Sequence, residues 1–379
     1  MSAPLLHLIA GARPNFMKLA PLVRALQADG RLRWRLIHTG QHHDSAMSGV
    51  FFDELGLPPP DVSLGCHGGS HAQLTARIMQ AYEPHLLADR PAACVVVGDV
   101  DSTLACALTA RKLGVRVAHV EAGLRSGDMA MPEEINRRAT DAISDWLFTT
   151  EPSATAHLRR EGHPDSRIHE VGHVMVDNLL HQHRQLAGAV QADWPGQAER
   201  QIALAQAGRY GVVTLHRPSN VDDPTQLDAL IRALATLSLQ LPLLFPVHPR
   251  TRARMDAISM STLLALPPSL HLLPPLPYQA FLALWSEAAL VLTDSGGLQE
   301  ETTALGIPCL TLRETTERPI TLTQGTNRLI GRNPSGLVEE ALRHAQPARL
   351  SRISRPPLWD GHAAERIVSL LARDLVTLN

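Results

Sequence analysis

An α/β architecture of two doubly wound domains is what this sequence predicts, on three observations. Short, nearly continuous apolar runs alternate with segments of helical period over most of its 379 residues. Runs apolar on both faces are the mark of parallel strands covered by helices on either side. The chain is too long for one hydrophobic core, and about 150–200 residues per domain is the usual division. A polar, alanine-rich stretch, Gln182 to Arg200, then interrupts the alternation before a new strand series opens at Tyr210.

Taken in order, the first run is Leu5-Leu6-His7-Leu8-Ile9-Ala10. It is short and has no basic segment before it, so it reads as a strand and not as a signal peptide. Strands are expected at 5–10, 33–39, 93–98, 115–120, 146–150 and 167–171, then at 210–215, 243–247, 270–273, 289–293 and 308–312. Helices are expected at 16–28, 70–88, 102–113, 133–144 and 153–161, then at 225–240, 278–286, 298–305 and 335–345. Glycines that can end a helix in the left-handed region stand at Gly114, Gly162 and Gly306. The tail from Trp359 to Leu378 carries apolar residues at helical spacing (Ala363, Ile367, Leu370, Leu371). The domains expected are 1–175 and 176–355, with a final helix in 356–379.

Composition narrows the class. Hydrophobic residues at 44% and charged residues at 19% suit a packed core, not a disordered chain. A formal net charge of −2 gives no global attraction to nucleic acid or to acidic membranes, so any anion site must be local. None of the four cysteines forms a CxxC pair, and Cys94 and Cys309 lie in apolar runs, which suits a reducing compartment. No run approaches the ~18 apolar residues of a membrane span, and a cytoplasmic protein is expected. The 19 histidines match no zinc spacing.

In open parallel sheets, ligands bind beyond the carboxyl ends of the strands. Six strand exits and one helix start carry chemistry. Gly11-Ala12-Arg13-Pro14-Asn15-Phe16-Met17-Lys18 is not a GxGxxG fingerprint, yet Arg13 and Lys18 flank a helix start. Cations there oppose the helix dipole unless they help to hold an anion; the bland alternative pairs Lys18 with a nearby acid. Gly98-Asp99-Val100-Asp101-Ser102 leaves a buried strand; Asp101 or Ser102 can cap the next helix, so Asp99 is the candidate acid. Glu121 follows the strand 115–120, with an ion pair to Arg125 as its structural alternative. Pro132-Glu133-Glu134 reads, taken alone, as helix-start chemistry. His216-Arg217 and His248-Pro249-Arg250 end two strands of the second domain. Thr293-Asp294-Ser295-Gly296-Gly297 then opens a helix whose bare backbone N–H groups suit phosphate. Glu300 and Glu301 behind it would repel phosphate but suit the diol of a ribose. Arg318 adds a cation just past strand 308–312.

With these motifs in hand, the chain resembles the non-hydrolysing UDP-N-acetylglucosamine 2-epimerases nearly end to end. The resemblance rests on GARPNFMK (11–18), GQH (40–42), GDVDST (98–103), HVEAGLRSGD (119–128) and PEEINR (132–137), and on TLHRPSNVD (214–222), TDSGGLQEE (293–301) and TTERP (315–319). It implies two Rossmann-like, doubly wound domains facing across a cleft, a glycosyltransferase-B-like arrangement, with the C-terminal helix crossing back to the first domain. It implies uridine-diphosphate contacts at Arg13, Lys18, Ser295, Gly296, Gly297, Glu301 and Arg318, and catalytic groups at Asp99, Glu121, Glu133 and His216. It implies a homodimer, and no metal or nicotinamide cofactor. The sequence departs from the usual family pattern at Ala12 and Asn15–Met17, at Pro218-Ser219, and at His43-Asp44-Ser45. Those changes leave room for a modified sugar, such as a diacetamido uronic acid derivative. The activity implied is inversion of carbon 2 of a UDP-linked N-acetylhexosamine by loss and re-addition of UDP. The rival readings are a hydrolysing epimerase, a glycosyltransferase of the same fold and a nucleotide-sugar sensor.

Overall fold

A computed structural model of the chain describes residues 3–41, 52, 55–186, 194–255, 258, 260–345 and 355–376. It divides into two compact units, one of residues 1–178 with 357–379 and one of residues 179–356.

The first unit holds a seven-stranded parallel sheet. Its strands are β1 (Leu5–Ala10), β2 (Arg33–His38), β3 (Val62–Ser63), β4 (Ala93–Val97), β5 (Arg116–Val120), β6 (Trp146–Thr149) and β7 (Ile168–Glu170). Their spatial order is β3-β2-β1-β4-β5-β6-β7. All five residues of β4 are buried, and they alternate between two cores. Ala93, Val95 and Val97 face one with Leu6 and Leu8; Cys94 and Val96 face the other with Ile9 and Ile78. That is the period-2 pleat of a strand covered on both faces.

The helix Ala363–Val376 belongs to the first core. Ala363, Ile367, Leu371 and Leu375 pack there with Leu19, Val23 and Leu26 of the helix Arg13–Asp29. Burying Ile367, Leu371 and Leu375 contributes about 1.5–3 kcal/mol each. Polar ties add direction: the Trp359 indole donates to the Thr150 carbonyl at 3.1 Å, and the Ala364 amide donates to Asp177 at 2.7 Å.

The second unit repeats the plan with six parallel strands: β8 (Gly211–Thr214), β9 (Leu243–Pro246), β10 (Leu270–Leu273), β11 (Leu290–Thr293), β12 (Cys309–Thr311) and β13 (Asn327–Leu329). Their order is β10-β9-β8-β11-β12-β13. Val213, Phe245, Leu290, Leu292 and Leu310 build its core with Leu227, Leu230, Ile231, Leu234 and Leu237 of the helix Pro224–Ser238. In each sheet the strand order reverses beside the first strand, between β1 and β4 and between β8 and β11. That reversal opens a crevice at the carboxyl edge.

Several expectations need correction. The helix expected at 16–28 begins at Arg13, so Lys18 sits in its second turn, not at its mouth. The stretch read as a break is helical on both sides, Val174–Leu186 and Gln197–Ala207, with 187–193 outside the described residues. Alanine and glutamine are good helix formers even without an apolar stripe. The short strands β3 and β13 have too few residues to leave a pattern. Neither Asp101 nor Ser102 caps the helix Asp101–Lys112, whose N-cap is Val100. Among the described residues, no helix is long and apolar enough to cross a membrane.

Candidate active site

In the first unit, three chain segments converge at the switch point. The first is the turn after β1. Asn15 accepts the amides of Gly11 (3.0 Å) and Ala12 (2.9 Å) and donates to the Val97 carbonyl (3.1 Å), locking that turn to the end of β4. The described residues include Arg13 as the first helical position, but nothing is described of its side chain.

The second segment is Gly98-Asp99. Gly98 has φ +69°, and a Cβ there would lie 2.8 Å from Lys18 Nζ, so only glycine fits. Asp99 Oδ2 accepts two bonds from Arg137, from Nε at 3.0 Å and Nη2 at 2.6 Å. Asn136 holds the Asp99 carbonyl at 2.9 Å.

The third segment is Glu121, which adopts φ +72°. A side chain in this region costs of order 1–3 kcal/mol and persists only where its surroundings dictate it. Here the carboxylate is buried against Lys18 Nζ, in an ion pair with 4% and 14% of the two side chains exposed. His173 Nδ1 lies 3.9 Å from its other oxygen. The alternative partner from sequence, Arg125, binds Asp141 and Glu161 instead. Lys18, expected beside phosphate, is thus directed at an acid of its own unit.

The helix Pro132–Ile143 contributes Glu133 and Glu134, and the two differ in kind. Glu134 is fully buried and accepts from the Ser126 amide (2.9 Å) and Arg137 Nη1 (3.0 Å). Burial works to raise its pKa, but these donors hold it below the ordinary carboxylate value. Glu133 is half-buried, next to the Asn136-Arg137 pair that grips Asp99.

In the second unit the switch point gathers His216, Asp294 and the Ser295 turn. Asp294 is fully buried and accepts from the amides of His216 (3.0 Å) and Arg217 (2.9 Å) and from Asn220 Nδ2 (3.1 Å). Burial opposes its charge, yet these bonds and the His216 ring keep its pKa low. His216 Nδ1 sits 3.0 Å from Asp294 Oδ1, so the carboxylate accepts a hydrogen bond from Nδ1–H and orients the ring, which is 34% exposed. Burial and the neighbouring His216 ring, 5.3 Å away, lower the pKa of His248.

Ser295 is the N-cap of the helix Gly296–Leu305. A Cβ on Gly297 would meet open space, and one on Gly296 would lie 3.9 Å from Arg217 Nη2. Bare amides and a guanidinium therefore share this helix start, as an anion requires. Gln299 ties the turn to the following loop, donating to the Ser295 carbonyl (3.0 Å) and accepting from Thr316 (2.6 Å). Arg318 Nε lies 2.5 Å from Glu300 Oε1, an ion pair without hydrogen-bond alignment. Among the described residues no ion pair to Glu301 is present; its carboxylate accepts the Tyr278 hydroxyl at 3.0 Å. Burial pushes Glu301 up to about 7, opposed by that hydroxyl and aided by Glu300.

Comparison with known proteins decides the family. A model described as UDP-N-acetylglucosamine 2-epimerase matches residues 24–372. The chain is 40% identical to the UDP-2,3-diacetamido-2,3-dideoxy-D-glucuronate 2-epimerase of Pseudomonas aeruginosa, covering 96% of this chain and 98% of that one. It is 37% identical, with a TM-score of 0.79, to the UDP-GlcNAc 2-epimerase of Methanocaldococcus jannaschii solved with UDP-GlcNAc and UDP, covering 97% and 99%. The chain belongs to the UDP-N-acetylglucosamine 2-epimerase family. A glycotransferase of kitacinnamycin, at 16% identity and a TM-score of 0.63 over 99% and 100% of the two chains, shares the fold alone. The two parallel-sheet units are therefore GT-B-like.

Against the epimerase family pattern, Asn15 acts as the bracket between β1 and β4, and Pro218-Ser219 opens the short helix Pro218–Val221. Positions 43–45, where the pattern also changes, lie outside the described residues. Sequence reasoning missed Arg137, Asp141, Asp294, Arg217 and Tyr278 as site partners. Asp294 and Arg217 stood inside quoted motifs, so their place at a strand exit was a usable signal. Tyr278 and Asp141 come from helices that no motif connects to Glu301 or Glu121.

Proposed function

We propose that the chain inverts carbon 2 of a UDP-linked 2-acetamido sugar, UDP-N-acetylglucosamine to UDP-N-acetylmannosamine, without net hydrolysis. The proton on carbon 2 is not acidic while the anomeric bond is intact. Breaking the bond from carbon 1 to the UDP oxygen first makes carbon 1 oxocarbenium-like and carbon 2 acidic. Loss of that proton gives a 2-acetamidoglycal and UDP. Re-addition of UDP to carbon 1, with protonation of carbon 2 from the other face, gives the epimer.

Each step asks something of this chain. The Ser295-Gly296-Gly297 turn, with Arg217 and Arg318, holds the diphosphate through both steps; Arg13 is proposed to join it. Glu301 takes the ribose hydroxyls. Asp99, Glu121, Glu133 and His216 are the proton-transfer groups. Lys18, paired with Glu121, adds positive charge beside the acids where the leaving group gains negative charge. One observation carries the reading: Asp99 and Glu121, far apart in sequence, lie at adjacent strand ends, each facing a cation of its own unit.

A second reading has a specific observation behind it. The Pseudomonas relative, at 40% identity, carries the name of a 2-epimerase for a diacetamido uronic acid sugar. The carbon-2 chemistry is the same; carbons 3 and 6 differ. Both UDP-sugars are therefore incubated in deuterium oxide and followed by NMR. Deuterium entering carbon 2 with UDP still attached supports epimerisation, and the faster substrate identifies the sugar. Free sugar with stoichiometric UDP means a hydrolase, and absence of exchange with either sugar removes the proposal.

A further inference from the structure

Behind the acids of the first unit lies a fully buried pair that the proposed chemistry does not use. His119, on β5, and Asp141, on the helix Pro132–Ile143, are both 0% exposed. His119 Nδ1 lies 2.6 Å from Asp141 Oδ1, and His119 Nε2 donates to the Gly98 carbonyl at 2.8 Å. A carbonyl and a carboxylate flank the ring, so each ring nitrogen faces an acceptor. Asp141 Oδ2 accepts the Gly123 amide at 3.1 Å and Arg125 Nη2 at 2.7 Å. Burial alone would raise the Asp141 carboxyl, but His119 and Arg125 hold it below the usual range.

These bonds end at three particular places. Gly98 immediately precedes Asp99. Gly123 closes the left-handed turn that begins at Glu121, and it too has positive φ, +78°. Asp141 lies on the helix that begins beside Glu133. One imidazole and one carboxylate thus bind the supports of all three candidate acids to each other.

We infer that the His119–Asp141 pair is a positioning element for Asp99, Glu121 and Glu133, and that its His119 bond to Gly98 is the arm that sets their separation. The inference rests on the catalytic reading above. Its physical basis is that proton transfer tolerates little displacement: about 1 Å costs on the order of 100-fold in rate. Glu121 carries positive φ, a conformation that surrounding bonds must maintain, and the flexible Gly98 needs fixing by its neighbours. The His119 bond to Gly98 and the Asp141 bond to Gly123 provide such maintenance, and being buried they face no competition from water.

Two substitutions separate the arms. In His119→Gln the side-chain amide reaches the position of Nε2 and keeps the Gly98 bond. In His119→Asn it reaches the position of Nδ1 and keeps only the Asp141 bond. His119→Asn is expected to lower kcat about 30–100-fold with KM and UDP affinity within about threefold; His119→Gln is expected to stay within about fivefold. Hydrogen exchange of the amides at 98–101 and 121–123 should rise in His119→Asn and not in His119→Gln, a readout that needs no turnover. Asp141→Asn can keep every bond if the ring takes its neutral form, because the new amide donates to Nδ1. It provides the test if both His119 variants fail to fold, and it should retain activity within about fivefold. Wild-type kcat and exchange in His119→Asn, equal losses in the Asn and Gln variants, or a 100-fold loss in Asp141→Asn would each overturn the inference. Failure of the wild-type protein to incorporate deuterium would instead remove the functional reading and leave the exchange result to decide this one.

Discussion

The two units solve the same topological problem with opposite electrostatics. Both sheets reverse order beside their first strand, and both gather polar side chains at that point. In the first unit the acids are matched with cations: Asp99 with Arg137, and Glu121 with Lys18. In the second, Glu301 is buried with a neutral hydroxyl as its partner, while the cations Arg217 and Arg318 stand at or behind a bare helix start. Carboxylates gripped by cations have fixed positions, which suits groups that must meet one carbon atom. A carboxylate that accepts a neutral hydroxyl, behind a turn of bare amides, suits a ligand that brings its own hydroxyls. On the proposed function, the difference sets the gripped acids of the first unit apart from the ribose-holding carboxylate of the second, and it is open to direct attack.

The largest effect is expected from Asp99→Asn. Removing a proton-transfer group costs about 10²–10⁴-fold in rate. Turnover should therefore fall by about a thousandfold while UDP affinity by calorimetry stays within about threefold. Near-normal turnover would take Asp99 out of the chemistry. A matching fall in UDP affinity would mean that Asp99 holds the nucleotide as well as reacting.

Glu301→Gln is the mirror experiment. Hydrogen bonds to a charged partner contribute about 1.5–3 kcal/mol, so affinity for UDP-N-acetylglucosamine should fall roughly 10–100-fold with little change in kcat at saturation. The pH dependence has a definite sign. In the free protein Glu301 titrates at about 7 because burial disfavours its charge. Ribose hydroxyls donate to the ionised form, so binding draws off a proton and affinity should fall as pH drops below about 7. The limit is tenfold per pH unit, and the slope should vanish in Glu301→Gln. Stability runs the other way. A carboxyl with a pKa of about 7 when folded and about 4.3 when unfolded supports the fold below about 4.3. That support is lost as pH rises through about 7. Glu301→Gln should therefore match wild type in thermal melts near pH 4 and be the more stable protein above pH 7, by roughly 4 kcal/mol. A variant weaker in binding but stronger in folding would mark Glu301 as retained for its ligand.

What the sequence disclosed and withheld follows the same division. Strands such as β4 and β11 were legible because residues apolar on both faces leave a continuous run, and Asp99 at the exit of β4 followed from the strand-end rule, which applied equally to the overlooked Asp294. The family resemblance rested on those exits. What stayed hidden was every long-range partner. Arg137 and Asp141 sit on one helix at positions that read as ordinary polar surface, yet both are buried, because the turns at Gly98 and Glu121 fold over them. The Glu133-Glu134 pair shows the limit in one place. Adjacent identical residues diverge because a 100° step around the helix turns Glu134 inward to Ser126 and leaves Glu133 at the edge. Tyr278 looked like one more apolar position on its helix, and nothing local connected it to Glu301, 23 residues on.

Tyr278→Phe gives the smallest and sharpest comparison. The substitution removes one hydroxyl from a buried site and leaves the ring, so the packing of the helix Tyr278–Trp285 is kept. A single neutral hydrogen bond is worth about 0.5–1.5 kcal/mol, and nucleotide affinity should drop about three- to tenfold. Losing the hydroxyl also removes the one bond that opposes protonation of Glu301, so the pH at which affinity begins to fall should move upward. In the first unit an equivalent change has the opposite signature: loosening Lys18 from Glu121 with Lys18→Met should lower kcat and leave the pH profile of nucleotide affinity where it was. If Tyr278→Phe alters turnover at saturating substrate and spares affinity, Glu301 belongs with the proton-transfer groups, and the contrast between acids that react and a carboxylate that holds fails at that residue.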